Sequence, residues 1–186
     1  MNLTCDDPVI LNQWHPLSSF DEIAEGATHH TVLLEQPVSY QMTSAGDVSV
    51  WLRDDIGCTL PLKRAYGFLW TCLGTPPDDI FSIFELVEPD RQNVATGVFG
   101  VNVSFGRAIE NFLDMGHFPF VHTGILGEEP HTEVKEYDVE VSESRDEIMA
   151  TRCRFYQPRA ALVSDAGPDV DYVFRFPHIN CSLIHH

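Results

Sequence analysis

Residues 107–123 read RAIENFLDMGHFPFVHT, and within them an amide, a carboxylate and two imidazoles (Asn111, Asp114, His117 and His122) stand among apolar side chains. Such groups are costly to bury unless they have partners, so their pattern asks for a purpose. The hydrophobic period is helical from about Gly106, with Ile109, Phe112 and Leu113 at helix spacing. Pro119 does not fit a helix interior, so the helix is expected to end or kink between His117 and His122. On one helix Asp114 and His117 share a face, and a break at Pro119 would let His122 turn back toward them.

Two neutral imidazoles meeting in an apolar pocket suit iron, zinc, copper or nickel. One added carboxylate makes the facial triad that leaves positions open on ferrous iron. Asp114 is equally suited to accept the spare N–H of His117 and fix its tautomer, and spacing does not choose between these roles. Taken bare, H-x-x-x-x-H also fits two core histidines whose nitrogens are satisfied within the protein.

Outward from this stretch the pattern is mostly that of strands. Residues 31–42 (TVLLEQPVSYQM) and 47–53 (DVSVWLR) flank Ser44-Ala45-Gly46 as a hairpin would. The run YGFLWTCLG at 66–74 is short enough for a buried strand and stops at Gly74-Thr75-Pro76-Pro77, where we expect a subdomain boundary between 1–76 and 77–186. Residues 95–105 (ATGVFGVNVSF) place Phe99, Val101, Val103 and Phe105 on one strand face, and further strands are expected at 133–142, 147–156 and 170–177.

Composition narrows the function classes. The 186 residues allow one domain with a sizeable core, or a domain with a small companion. A net charge of -17, from 28 acidic against 11 basic residues, would repel a phosphate backbone and argues against nucleic acid as a partner. No apolar run approaches the ~20 residues of a membrane helix, and the opening MNLTCDDPVILNQWHPL lacks the basic and apolar regions of a secretion signal, so a cytoplasmic protein is expected. The five cysteines (Cys5, Cys58, Cys72, Cys153, Cys181) are scattered and include no C-x-x-C, which reads as reduced, mostly buried thiols.

N-F-L-D-M-G-H-F-P-F-V-H at 111–122 resembles the N-x-x-D-x-x-H-x-x-x-x-H motif in the catalytic domain of Rieske non-haem iron oxygenases. NQWHPL is similar to the start of their alpha subunits, and LPLKRAYGFLWTCLG looks like the stretch closing their cluster-binding domain. Within the family, NFLDMGHFPFVHTGILGEEPHTEVKEYDV most resembles the bacterial N-demethylases of caffeine and other methylxanthines, the N7-demethylating subunit in particular.

The resemblance implies an α+β fold, in which a small β subdomain (1–76) precedes a helix-grip, Bet v1-like antiparallel sheet that forms the catalytic domain (77–186). It implies that His117 and His122 ligate a mononuclear Fe2+, that Asp114 couples electrons or protons to that iron, and that Asn111 lies near it. The implied reaction is hydroxylation of an N-methyl group of a purine alkaloid by dioxygen, with release of formaldehyde.

The sequence departs from the family in two places. A [2Fe–2S] Rieske centre needs Cys2His2 ligation, in C-x-H and C-x-x-H loops, and neither pattern is present. Only thirteen residues (Asp54 to Tyr66) occupy the place of both loops, so the first subdomain is expected to be a remnant without a cluster. No residue matches the family's third, carboxylate iron ligand; Asp138, Asp146, Asp165, Asp169 and Asp171 lie in or beside strand or turn sequence. The chain is accordingly expected to be truncated before the family's last helices, or to bind iron incompletely.

Of the other histidines, the pairs His29-His30 and His185-His186 fall at polar or terminal positions, and His15, His131 and His178 each neighbour a proline. The implied partners are a homologous cluster-bearing oxygenase subunit and a reductase with its own Rieske centre. Two readings compete with catalysis: a structural or regulatory subunit that stabilises an active homologue, and a hydrophobic-ligand-binding module of helix-grip type.

Overall fold

The computed structural model describes residues 5–90, 92–94, 99, 101–143, 147–159, 169–178 and 181–185. The chain divides into two compact units, Met1–Gly100 and Val101–His186.

The first unit opens with a one-turn helix, α1 (Pro8–Leu11), capped by the Asp7 side chain at Val9 N. Seven strands follow: β1 (His15–Ser19), β2 (Thr28–Leu33), β3 (Gln36–Met42), β4 (Val48–Leu52), β5 (Asp55–Thr59), β6 (Leu62–Ala65) and β7 (Phe68–Thr71). They form one antiparallel sheet in the order β2-β3-β4-β5 and another in the order β1-β7-β6. The hairpin around Ser44-Ala45-Gly46 is present as β3 and β4, with Met42 opposite Val48, and Gly46 takes the φ of +83° that the turn requires. The run 31–42 is not one strand: Leu34 (φ +47°) and Glu35 (φ +67°) make a two-residue turn inside it, so β2 and β3 are themselves a hairpin. The thirteen residues from Asp54 to Tyr66 are largely taken up by β5 and β6.

Leu17, Ile23, Val38, Tyr40, Val50 and Leu69 form the apolar core of this unit. Beside it Trp14, Trp70 and Cys72 make a second cluster. Strand pairing stops at Thr71, but the chain stays on this unit well past residue 76. Trp14 Nε1 donates to Pro77 O (2.9 Å), Tyr66 Oη donates to Phe81 O (2.9 Å), and the Trp70 and Phe81 rings meet edge to face. Pro76 and Pro77 therefore end the sheet without ending the unit, which runs to Gly100.

The second unit begins irregularly. Val101–Ser104 is not a strand, in contrast to the strand expected over 95–105, and Phe99, Val101 and Val103 are exposed; residues 95–98 and 100 lie outside the described residues. Helix α2 (Phe105–Leu113) follows, then a 3₁₀ turn (Met115–His117), a short helix α3 (Phe118–Val121), and strands β8 (Asp138–Ser142), β9 (Glu147–Tyr156), β10 (Asp169–His178) and β11 (Cys181–His185). The four strands form an antiparallel sheet in the order β11-β10-β9-β8. Residues 133–137, expected as strand, are exposed and irregular.

On this sheet Ala150, Cys153, Phe155, Tyr172 and Phe174 bury one face against Met115, with Phe118 packed at the margin. Ala150 and Cys153 would face opposite ways in a regular strand, where side chains alternate. A bulge reconciles them: the β9–β10 register shifts between Tyr172 and Phe174, and Arg152 opposite takes a φ of +58°. The architecture is therefore mostly antiparallel sheet with few helices. No helix among the described residues is long and apolar enough to cross a membrane.

Candidate metal centre

Asp114, His117 and His122 are carried by the joints between α2, the 3₁₀ turn and α3. Helix α2 ends at Leu113, because Asp114 leaves helical geometry (φ -88°, ψ 96°) and its Oδ1 accepts from Gly116 N at 2.9 Å, capping the turn that follows. The break thus comes before His117, and not between His117 and His122. Pro119 lies in the first turn of α3, where its missing N–H and fixed φ cost nothing. His117 precedes α3 and His122 closes it, so one helical turn separates the two imidazoles.

That arrangement brings the rings together. Their centroids are 5.2 Å apart and their planes are tilted by 59°. Asp114 Oδ2 stands 3.4 Å from His117 Nδ1, a long contact, with the His117 side chain 15% exposed and that of Asp114 58%. The Phe118 ring is steeply inclined to both imidazoles, with centroids 5.1 Å from His117 and 6.2 Å from His122, and pairs edge to face with Phe155 of the sheet at 5.6 Å. Asn111 is exposed on α2, one turn before Asp114. Phe112 and Leu113, which share the helical period, remain 47% and 42% exposed.

The donor set can be tested against a metal ion. A first-row ion about 2 Å from one nitrogen of each ring can span a 5.2 Å centroid separation. Engagement of His117 Nδ1 by Asp114 would leave Nε2 as the coordinating atom. The two histidines therefore fit one half of a mononuclear iron site. Among the described residues, no cluster of three His, Cys, Asp or Glu is placed to complete it.

The other carboxylates have different surroundings. Asp138 is bound by Arg152 and Asp171 by Arg154, and hydrogen bonding to each guanidinium holds the carboxyl below its usual range. Asp169 lines a pocket of about 160 Å³ with His131, Arg154, Phe155 and Tyr156, a pocket that neither His117 nor His122 lines. Asp146 and Asp165 lie outside the described residues.

Among the described side chains, the remaining histidines each have a partner. His15 is buried with Nε2 2.8 Å from Ile10 O. His29 stacks on Tyr40 and accepts from Ala24 N, and His30 Nδ1 is 2.8 Å from Ser39 Oγ. His131 stacks flat on Tyr156 at 4.0 Å. The side chains of His178 and His185, and all of His186, are outside the described residues. Cys5, Cys58, Cys72 and Cys153 are free thiols; Cys72 and Cys153 are buried, and that burial raises both above the usual thiol range.

Sequence reading missed two contributors, Phe118 and Gly127. Gly127 is buried where the loop after His122 folds back on α3, with Gly124 N donating to Gly127 O at 2.8 Å. The available signal was the spacing Gly124-Ile125-Leu126-Gly127 immediately after the motif.

Residues 101–181 match the vanillate O-demethylase oxygenase C-terminal domain. Over 170 residues the chain is 42% identical to the probable methylxanthine N7-demethylase NdmC of Pseudomonas sp. (strain TJI-51), covering 91% of this chain and 60% of that protein. Among solved structures, dicamba monooxygenase bound to 3,6-dichlorosalicylic acid aligns with a TM-score of 0.74 at 15% identity, over 94% of this chain and 66% of that one. NdmB of Pseudomonas putida CBB5 aligns with a TM-score of 0.60 at 15% identity, over 94% of this chain and 64% of that one. At such identities the two structures speak for the fold alone. The chain spans about three fifths of the length of the curated relative.

Proposed function

We propose that this chain, which carries the vanillate O-demethylase oxygenase C-terminal domain match over 101–181 and is 42% identical over 170 residues to a probable methylxanthine N7-demethylase, acts as an iron-dependent N-demethylase subunit for a methylxanthine. The observation that carries the proposal is the convergence of His117 and His122, with Asp114 beside His117, inside the segment that matches the oxygenase domain. Iron held by the two imidazoles would supply the activation of dioxygen for hydroxylating an N-methyl carbon, after which the carbinolamine breaks down to formaldehyde and the demethylated purine.

This chain's own residues would do the following. His117 and His122 hold the metal through one ring nitrogen each. Asp114 accepts a hydrogen bond from the Nδ1–H of His117, which fixes the tautomer, and links the site to an electron source outside the chain. Met115, Phe118 and Phe155 exclude water from one side of the imidazole pair. Asn111 stands at the exposed rim.

The sequence has neither C-x-H nor C-x-x-H, so the first unit is proposed as a β module without [2Fe–2S] ligands. Electrons then come from the cluster of a homologous oxygenase subunit, fed by a Rieske-containing reductase. The test is turnover: the purified chain with ferrous iron, dioxygen and such a partner should release formaldehyde from a methylxanthine, and His117→Ala should abolish it with assembly intact. Equal demethylation with and without any partner would overturn the electron-supply part.

A second reading, a non-catalytic subunit that stabilises an active homologue, is favoured by one observation: among the described residues no third ligand approaches the pair. Unchanged partner activity with the His117→Ala chain in the complex would favour that reading.

A further inference from the structure

His117 and His122 flank the single turn of α3, and Gly127 packs directly against the backbone of that turn. A Cβ built on Gly127 would lie 2.7 Å from Pro119 N, 2.8 Å from Phe118 C and 3.0 Å from Pro119 Cα. All three atoms are backbone, so no side-chain rotation relieves the clash. They belong to the peptide unit joining Phe118 and Pro119, which lies between the two histidines and next to His117.

The loop pressing Gly127 there is anchored to His122 itself. His122 O accepts from Ile125 N (3.1 Å) and Leu126 N (3.0 Å), Gly124 N donates to Gly127 O (2.8 Å), and Thr123 bridges Gly127. The Phe118 ring is steeply inclined to both imidazoles, with centroids 5.1 Å from His117 and 6.2 Å from His122, and meets Phe155 of β9 at 5.6 Å. Nothing in the backbone angles of Gly127 calls for glycine, in contrast to Gly124 with its φ of +74°. The demand at 127 is for space.

We infer that Gly127 and Phe118 are positioning residues that set the spacing of His117 and His122, with Gly127 fixing the backbone between them and Phe118 fixing their rings. The inference rests on the metal-binding reading of the two histidines. A methyl group at 127 must push the Phe118–Pro119 peptide away and swing one imidazole out of reach of an ion on the other. Replacing the ring at 118 by a leucine removes the aromatic neighbour that both imidazoles share while leaving apolar bulk against Phe155.

The test uses the full 186-residue chain with Cu2+ alone as the probe. Binding is titrated and frozen-solution EPR counts the coordinating imidazole nitrogens, with His117→Ala and His122→Ala identifying the signal that belongs to the pair. The wild-type chain is expected to show a two-nitrogen signature, and Gly127→Ala and Phe118→Leu a one-nitrogen signature with roughly 10-fold or greater loss of affinity, the scale found when groups supporting a ligand are altered. Gly124→Ala strains a left-handed backbone in open space and should keep the wild-type signature.

A folded Gly127→Ala chain with wild-type signature and affinity overturns the inference while leaving the metal reading in place. Should Gly127→Ala show no cooperative thermal unfolding, Phe118→Leu decides: wild-type binding there overturns it, and loss of one nitrogen supports it. A wild-type chain with no signal dependent on His117 and His122 overturns the metal reading and the inference with it.

Discussion

Glu147 keeps 1% of its side chain exposed and Arg175 11%, and Arg175 donates to Glu147 Oε2 through Nε (3.1 Å) and Nη2 (2.7 Å). Breaking a buried ion pair from one side costs more than the pair is worth, because a charge stays behind in a poorly solvating place. Arg175→Met is therefore expected to destabilise the chain by about 3–5 kcal/mol, read from urea midpoints at constant m. The double replacement Glu147→Leu with Arg175→Met should recover most of that loss; a single-variant loss below about 1 kcal/mol would mean the pair is hydrated. At this scale the sequence was informative where chemistry is local. Asp114, His117 and His122 were legible because a carboxylate and two imidazoles at short spacing among apolar residues need partners. The Glu147–Arg175 pair was not, because its members are 28 positions apart and meet only through strand register.

Among the elements, the tight turn between β2 and β3 is the clearest point for a stability test. Leu34 and Glu35 both take positive φ, which a type I′ hairpin requires and which Asn-Gly accepts with less strain. Leu34→Asn with Glu35→Gly is expected to stabilise the chain by about 1 kcal/mol, raising Tm by a few degrees in a scanning measurement. A fall in Tm would show that Leu34 contributes more by packing than its backbone costs. The same turn explains why residues 31–42 read as one strand: neither Leu34 nor Glu35 is a turn residue, so the alternation carries no punctuation. Pro119 misled in the opposite way. It marks a helix start as readily as a helix end, and the stop at Asp114 came from a side-chain cap that spacing does not reveal. Strands at 147–156 and about 170–177 were legible from their β-branched and aromatic content, while 133–137 carries that content without a partner strand.

Across the whole molecule, the domain match over 101–181 and the 42% identity over 170 residues to a probable methylxanthine N7-demethylase support the reading that local chemistry suggests at 111–122. The structural division falls at Gly100/Val101, beyond the Gly-Thr-Pro-Pro punctuation, because tryptophan and tyrosine side chains hold the segment through Phe81 on the first unit. Nothing local in the sequence announces those long-range hydrogen bonds. The 117–122 turn is proposed as a metal centre, and its iron content is the first quantity to measure. The chain is reconstituted anaerobically with ferrous iron, freed of unbound metal and compared with His117→Ala and His122→Ala, with iron measured per chain. About one iron per wild-type chain is expected, with loss of it in both variants. Iron retained equally in the two variants, or absent from the wild-type chain, would contradict it.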